Sequence, residues 1–153
     1  MSTDYLIFLD SDHTSAENVY KPLLAVPRIE FRDGLQIPGL VDVSCIQLDD
    51  FYRDVMREEY GDYGLDVNWL ISGTYDNETD IFEVIRLLYE CAAQLVNANP
   101  DKSLSLMRNG ESIYLFNSQN LLILSPIYLD SIPVIKSLFK KPFIIREVLA
   151  WPP

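Results

Sequence analysis

The sequence predicts an α+β domain, a mainly antiparallel sheet with two or three helices packed on one face. Three observations carry this reading. Ile81, Val84, Ile85, Leu88, Ala92 and Leu95 recur at three- and four-residue steps, the period of an amphipathic helix. Residues 65–75 and 104–124 flank that helix with β-rich apolar runs. Asn109-Gly110 separates two of those runs, and a type I′ hairpin turn needs positive φ at both central residues, which Asn and Gly supply best.

At 153 residues and 48% hydrophobic, the chain suits one domain with a packed core. It divides into strand–helix–strands (1–48), an acidic helix or loop (49–64), a strand–helix–hairpin core (65–124) and a closing segment (125–153). In order, Tyr5–Leu9 reads as a buried strand ended by Asp10, Ser11 and Asp12. Thr14 or Ser15 caps a short helix that Pro22 makes irregular. Residues 28–32 alternate as a half-buried strand, Asp33-Gly34 turns the chain, and residues 40–48 alternate again.

Residues 50–59 form a short amphipathic helix on a weak stripe of Phe51, Val55 and Met56, with Arg53 and Arg57 pairing with Asp50 and Asp54. Residues 65–75 are a strand with Val67, Trp69 and Ile71 on one face. Thr79 caps the long helix over 79–96, with Asp80 and Glu83 in its first turn. Two polar turns then separate strands at 104–107, 113–116 and 121–124. Residues 132–139 form a short helix and 143–151 a last strand or helix.

Charge narrows the function classes. The net charge is −11, and it is uneven: −13 over residues 1–100 and +2 over residues 101–153. Such a field repels nucleic acid and anionic membrane and draws basic partners. No apolar run approaches the roughly 20 residues of a membrane span, and no basic region precedes the first apolar run, so a cytoplasmic protein is expected. Cys45 and Cys91 lack metal-like spacing and read as buried thiols.

Catalytic motifs are sparse. There is no P-loop, GxGxxG, GxSxG or CxxC, and His13 is the single histidine. Asp10, Asp12 and His13 follow a buried strand, a place where magnesium-holding carboxylates occur, yet the same residues are ordinary turn formers. The expectation is a protein that is not an enzyme, with no cofactor and no metal. The tract from Asp49 to Asp66 offers more. It interleaves carboxylates with Phe51, Tyr52, Tyr60 and Tyr63, a mixture suited to fast encounter and large contact area. Asp49, Asp50, Asp54, Glu58, Glu59, Tyr60, Asp62, Tyr63 and Asp66 are the candidate partner contacts, chosen on charge and expected exposure.

Asp101, Leu104, Leu106, Asn109-Gly110-Glu111, Tyr114 and Leu115 complete a pattern of strand, apolar helix and hairpin over roughly residues 65–124. In this the chain resembles the small cytosolic immunity proteins of bacterial polymorphic-toxin systems, nearest the swarming-inhibition immunity group. That resemblance implies a monomer or homodimer that binds one cognate toxin domain, a nuclease for instance, and blocks it by occlusion without catalytic residues. Two alternatives stand beside it: a small metal-dependent hydrolase using Asp10, Asp12 and His13, and a homodimeric adaptor that pairs at a sheet edge through residues 113–124.

Overall fold

A computed structural model describes residues 2–60 and 65–148. Its elements are β1 (Asp4–Leu9), α1 (Ala16–Tyr20), β2 (Glu30–Phe31), β3 (Leu35–Gln36), β4 (Leu40–Gln47), α2 (Asp50–Tyr60), β5 (Trp69–Tyr75), α3 (Ile81–Ala98), β6 (Leu104–Arg108), β7 (Ser112–Ser118), β8 (Leu121–Leu124) and β9 (Ile144–Ile145). Seven strands form one sheet in the order β4-β5-β1-β6-β7-β8-β9. Every pairing is antiparallel except β8 with β9. β2 and β3 make a separate ribbon around Asp33-Gly34. The fold is the expected α+β domain.

The strand period of two sorts side chains onto two faces. On one face Tyr5, Ile7, Leu9, Trp69, Ile71, Leu104 and Leu106 pack under α3 and α1. α3 buries ten residues, among them Val84, Ile85, Leu88, Ala92 and Leu95, which is the stripe its sequence displays. The opposite face is also apolar. A rank of paired residues crosses the whole sheet there: Ile46, Leu70, Phe8, Ser105, Phe116, Ile123 and Ile144. Met56 and Tyr60 of α2, with Leu48, Leu65, Val67 and Val148, cover its middle. Two helices therefore lie on one face, and the acidic helix takes the other.

Several local expectations need correction. The strand predicted over 65–75 begins at Trp69, because residues 65–68 cross over the second face and Val67 joins the Phe8 side of the sheet rather than the Trp69 side. The cap of α3 is Asp80, whose side chain accepts from Phe82 N at 2.9 Å. Thr79 belongs instead to an Asx turn: Asp76 accepts from Glu78 N, Thr79 N and the Thr79 hydroxyl. These bonds hold the Asp76 carboxyl below its usual range. The helix predicted over 132–139 is a single 3-10 turn, Pro133–Ser137. The segment predicted over 143–151 is the two-residue β9 as far as it is described; residues 149–151 lie outside the described part. β9 pairs with Ile123 and Leu124 on the outer side of β8, so that part of the edge of the 113–124 hairpin is already taken within the chain.

The β6–β7 turn is as predicted. Asn109 and Gly110 both have positive φ, and Glu111 N donates to Arg108 O at 2.9 Å. Gly39 is a further position where glycine is required. It has φ +88° and a Cβ there would lie 2.3 Å from Val84 Cγ2, so the turn into β4 lies directly on α3. Gly39→Ala combines left-handed strain with overpacking against a fully buried valine and is expected to cost about 2–4 kcal/mol, measured by urea unfolding. A loss under about 0.5 kcal/mol would show that this turn does not seat on α3.

Candidate functional site

α2 owes its placement to its own periodicity. Tyr52, Met56 and Tyr60 recur at four-residue steps and form the stripe that meets the sheet. Tyr52 stacks on Phe8 with ring centroids 6.3 Å apart. Met56 and Tyr60 are buried, and the Tyr60 hydroxyl donates to Gly110 O at 3.3 Å, which ties the helix to the β6–β7 turn. Burial, with Glu59 and Tyr52 nearby, raises the Tyr60 pKa. Tyr60 is 3% exposed, so in the free chain it is a packing residue and not the surface contact its sequence position implied.

The carboxylates then sort by role. Asp49 accepts from Tyr52 N at 2.8 Å and caps the helix start. On one flank Arg57 donates to both oxygens of Asp66, at 3.1 and 3.4 Å, and to Asp54 at 3.3 Å. Arg53 lies 3.8 Å from the same Asp66. The expected Arg53–Asp50 pair is replaced by the Arg53–Asp66 contact, because residue 66 passes beside the helix. Asp66 raises the Arg57 pKa, first by hydrogen bonding and then by charge, with burial opposing and Asp54 and Asp50 adding to the rise.

Among the described residues, Asp50, Glu58 and Glu59 make no ion pair. Helical spacing groups Asp50, Phe51, Asp54 and Glu58 on the side away from the sheet. Glu59 is half-buried on the flank beside Tyr52. Phe51 is 75% exposed, the most exposed of the large apolar side chains among the described residues. The outward face is therefore an exposed aromatic ring among carboxylates, held on a helix whose other two sides are fixed. Asp62 and Tyr63 lie outside the described residues.

The strand-end group is arranged differently. Lys102 Nζ lies 3.1 Å from Asp12 and 3.7 Å from Asp10, so both carboxylates converge on an ammonium. The Asp12 hydrogen bond and the Asp10 charge raise the Lys102 pKa. His13 is engaged through its backbone: its N–H donates to Ser11 Oγ and its carbonyl accepts from Trp69 Nε1. Asn68 clamps the same loop through Ser11 N and Ser11 O. A cavity of about 40 Å³ beside Asp10, His13 and Lys102 has room for a water or two. Among the described residues no group of three or more His, Cys, Asp or Glu side chains is placed to hold a metal ion. Cys45 and Cys91 are free thiols, and burial pushes Cys45 up to about 11 and Cys91 higher still, so both stay protonated near neutral pH.

Phe51 corrects the stripe of Phe51, Val55 and Met56 that the sequence predicts: it is 75% exposed, because Tyr52, Met56 and Tyr60 form the stripe that meets the sheet. Its signal is positional, since it falls off the Tyr52–Met56–Tyr60 stripe. No family model matches the chain, and neither a curated protein nor a solved structure was found to match it.

The division of roles is testable on stability. Asp49→Ala removes the α2 cap and is expected to cost about 1 kcal/mol in urea unfolding. Glu58→Gln is expected to stay within about 0.5 kcal/mol of the parent. Equal losses in both would mean that the outward carboxylates are structural.

Proposed function

We propose that the chain is an immunity protein that binds a basic toxin domain and neutralises it by occlusion, with the outward face of α2 as its contact surface. The observation that carries the reading is the combination on that face: Phe51, largely exposed, beside Asp50, Asp54 and Glu58. Exposed aromatics and a surrounding carboxylate field supply the two parts of a fast, tight protein contact. The aromatic gives desolvated area at the centre, and the charges speed encounter from a distance. The net charge of −11 favours a cationic partner, and a toxin that acts on nucleic acid presents such a surface.

Occlusion asks for no chemistry from the inhibitor. It asks for a rigid presentation, which the Arg57–Asp66 bridge and the Phe8–Tyr52 stack provide. Asp50, Phe51, Asp54 and Glu58 are the proposed contacts, with Glu59 and Asp66 at the margin; Asp62 and Tyr63 remain candidates on residue type alone. The proposed setting is a bacterial cytoplasm. The hydrolase alternative is less well supported, because Lys102 pairs with both Asp10 and Asp12 and so neutralises the carboxylates it would use.

The test is coexpression with the toxin encoded by the adjoining gene. The wild-type chain is expected to restore growth, and Phe51→Ala combined with Asp50→Lys and Glu58→Lys is expected to abolish protection while leaving the thermal midpoint near that of the parent. Growth arrest in the presence of the wild-type chain would overturn the reading. Full protection by the triple variant would move the interface elsewhere.

A further inference from the structure

Beyond the 3-10 turn Pro133–Ser137 the chain reaches the sheet again and adds β9, in parallel, to the edge of β8. Little in β9 itself holds it there. It has two residues, and Ile144 and Ile145 are 44% and 47% exposed. Arg146 N donates to Leu124 O at 3.0 Å, and Val148 bridges to Ile113. Just before this stretch sits Lys141, and its surroundings are unusual for a lysine.

Lys141 Nζ donates to Ser118 O at 2.7 Å, Pro100 O at 2.8 Å and Asn117 Oδ1 at 2.9 Å, with Gln119 O at 3.4 Å. An ammonium has three N–H donors, so the three short contacts satisfy it and the fourth oxygen shares. All four acceptors are uncharged, and three are backbone carbonyls. The side-chain acceptor is fixed: Asn117 is fully buried, and its Nδ2 donates to Pro100 O at 3.0 Å and Lys102 O at 2.8 Å. The oxygens come from the turn after α3, from the end of β7 and from the β7–β8 turn. One cation therefore fastens the last segment both to the turn after α3 and to the β7–β8 turn. Asn97 adds a second fastening upstream, through Leu138 O and Lys140 N.

We propose that Lys141 is a latch: its ammonium, seated in this oxygen cage, holds residues 142–148 on β8, and that segment opens as a unit, short of global unfolding, when the charge is lost. Opening frees the backbone edge of β8, whose Leu122, Ile123 and Leu124 are fully buried and would present an unpaired apolar strand. A segment with few buried apolar contacts and a short hydrogen-bonded ladder belongs to the low-stability end of a fold. Beside that ladder, Phe143 packs on the main core and Val148 on the second, and the latch adds a charged attachment to these.

Amide hydrogen exchange on the full chain tests this. In the wild type, the Arg146 amide is expected to exchange through an opening nearly independent of denaturant, while the Leu88 amide in α3 follows global unfolding. Lys141→Met should speed exchange at Arg146 by about tenfold or more and leave Leu88 within about twofold. Lys141→Ala should do the same, and propylammonium chloride should restore protection where tetramethylammonium chloride, which has no N–H, does not. Unchanged exchange at Arg146 in the Met and Ala variants overturns the proposal. So does an Arg146 amide that shares the denaturant dependence of Leu88 in the wild type, a result that does not depend on the variants folding.

Discussion

The structure depends on one constraint: β1, β6 and β7 carry apolar side chains on both faces, so both faces of the sheet must be covered. Tyr5, Ile7 and Leu9 point to one side of β1 and Phe8 to the other, and all are buried. Each fully buried large side chain contributes roughly 1.5–3 kcal/mol relative to exposure, so neither face can be left to water. α3 is long and apolar enough to cover its side. The second side has α2, the crossing at residues 65–68 and Val148.

That division explains why the acidic residues are where they are. A helix that covers a sheet with one stripe leaves its remaining surface to solvent. Tyr52, Met56 and Tyr60 face the sheet, and Arg53 and Arg57 take one flank with Asp66. Asp50, Phe51, Asp54 and Glu58 must then face outward. A charged outward face is the ordinary outcome for such a helix. An exposed phenylalanine in its midst is not required by the fold, and the proposed contact surface rests on Phe51.

The architecture was legible in the sequence to the extent that it rests on periodicity and turn chemistry. The α3 stripe, the Asn109-Gly110 turn and the β-rich runs each announce a local conformation that tertiary contacts did not override. Boundaries were less legible. Thr79 and Asp80 are both good caps, and only the Asx turn at Asp76 decides between them. Residues 65–68 have strand composition but leave the ladder to cover Phe8's face. At the candidate site, charge and helicity were readable, but Tyr60 inside and Phe51 outside follow from which stripe meets the sheet. The Asp66–Arg57 bridge and the Lys141 cage were not legible at all. Their partners are brought together by topology, and the Lys141 acceptors are mostly backbone carbonyls that no residue type advertises.

The central claim is that a rigid acidic face on α2 recognises a cationic protein surface. The most direct measurement is the association rate constant with the purified toxin domain as a function of ionic strength. An electrostatically steered contact gives a rate that falls steeply with salt for the wild type and a lower, nearly flat rate for Asp50→Lys with Glu58→Lys, with the dissociation rate much less affected. A wild-type association rate indifferent to salt, or one unchanged by the charge reversals, would contradict it.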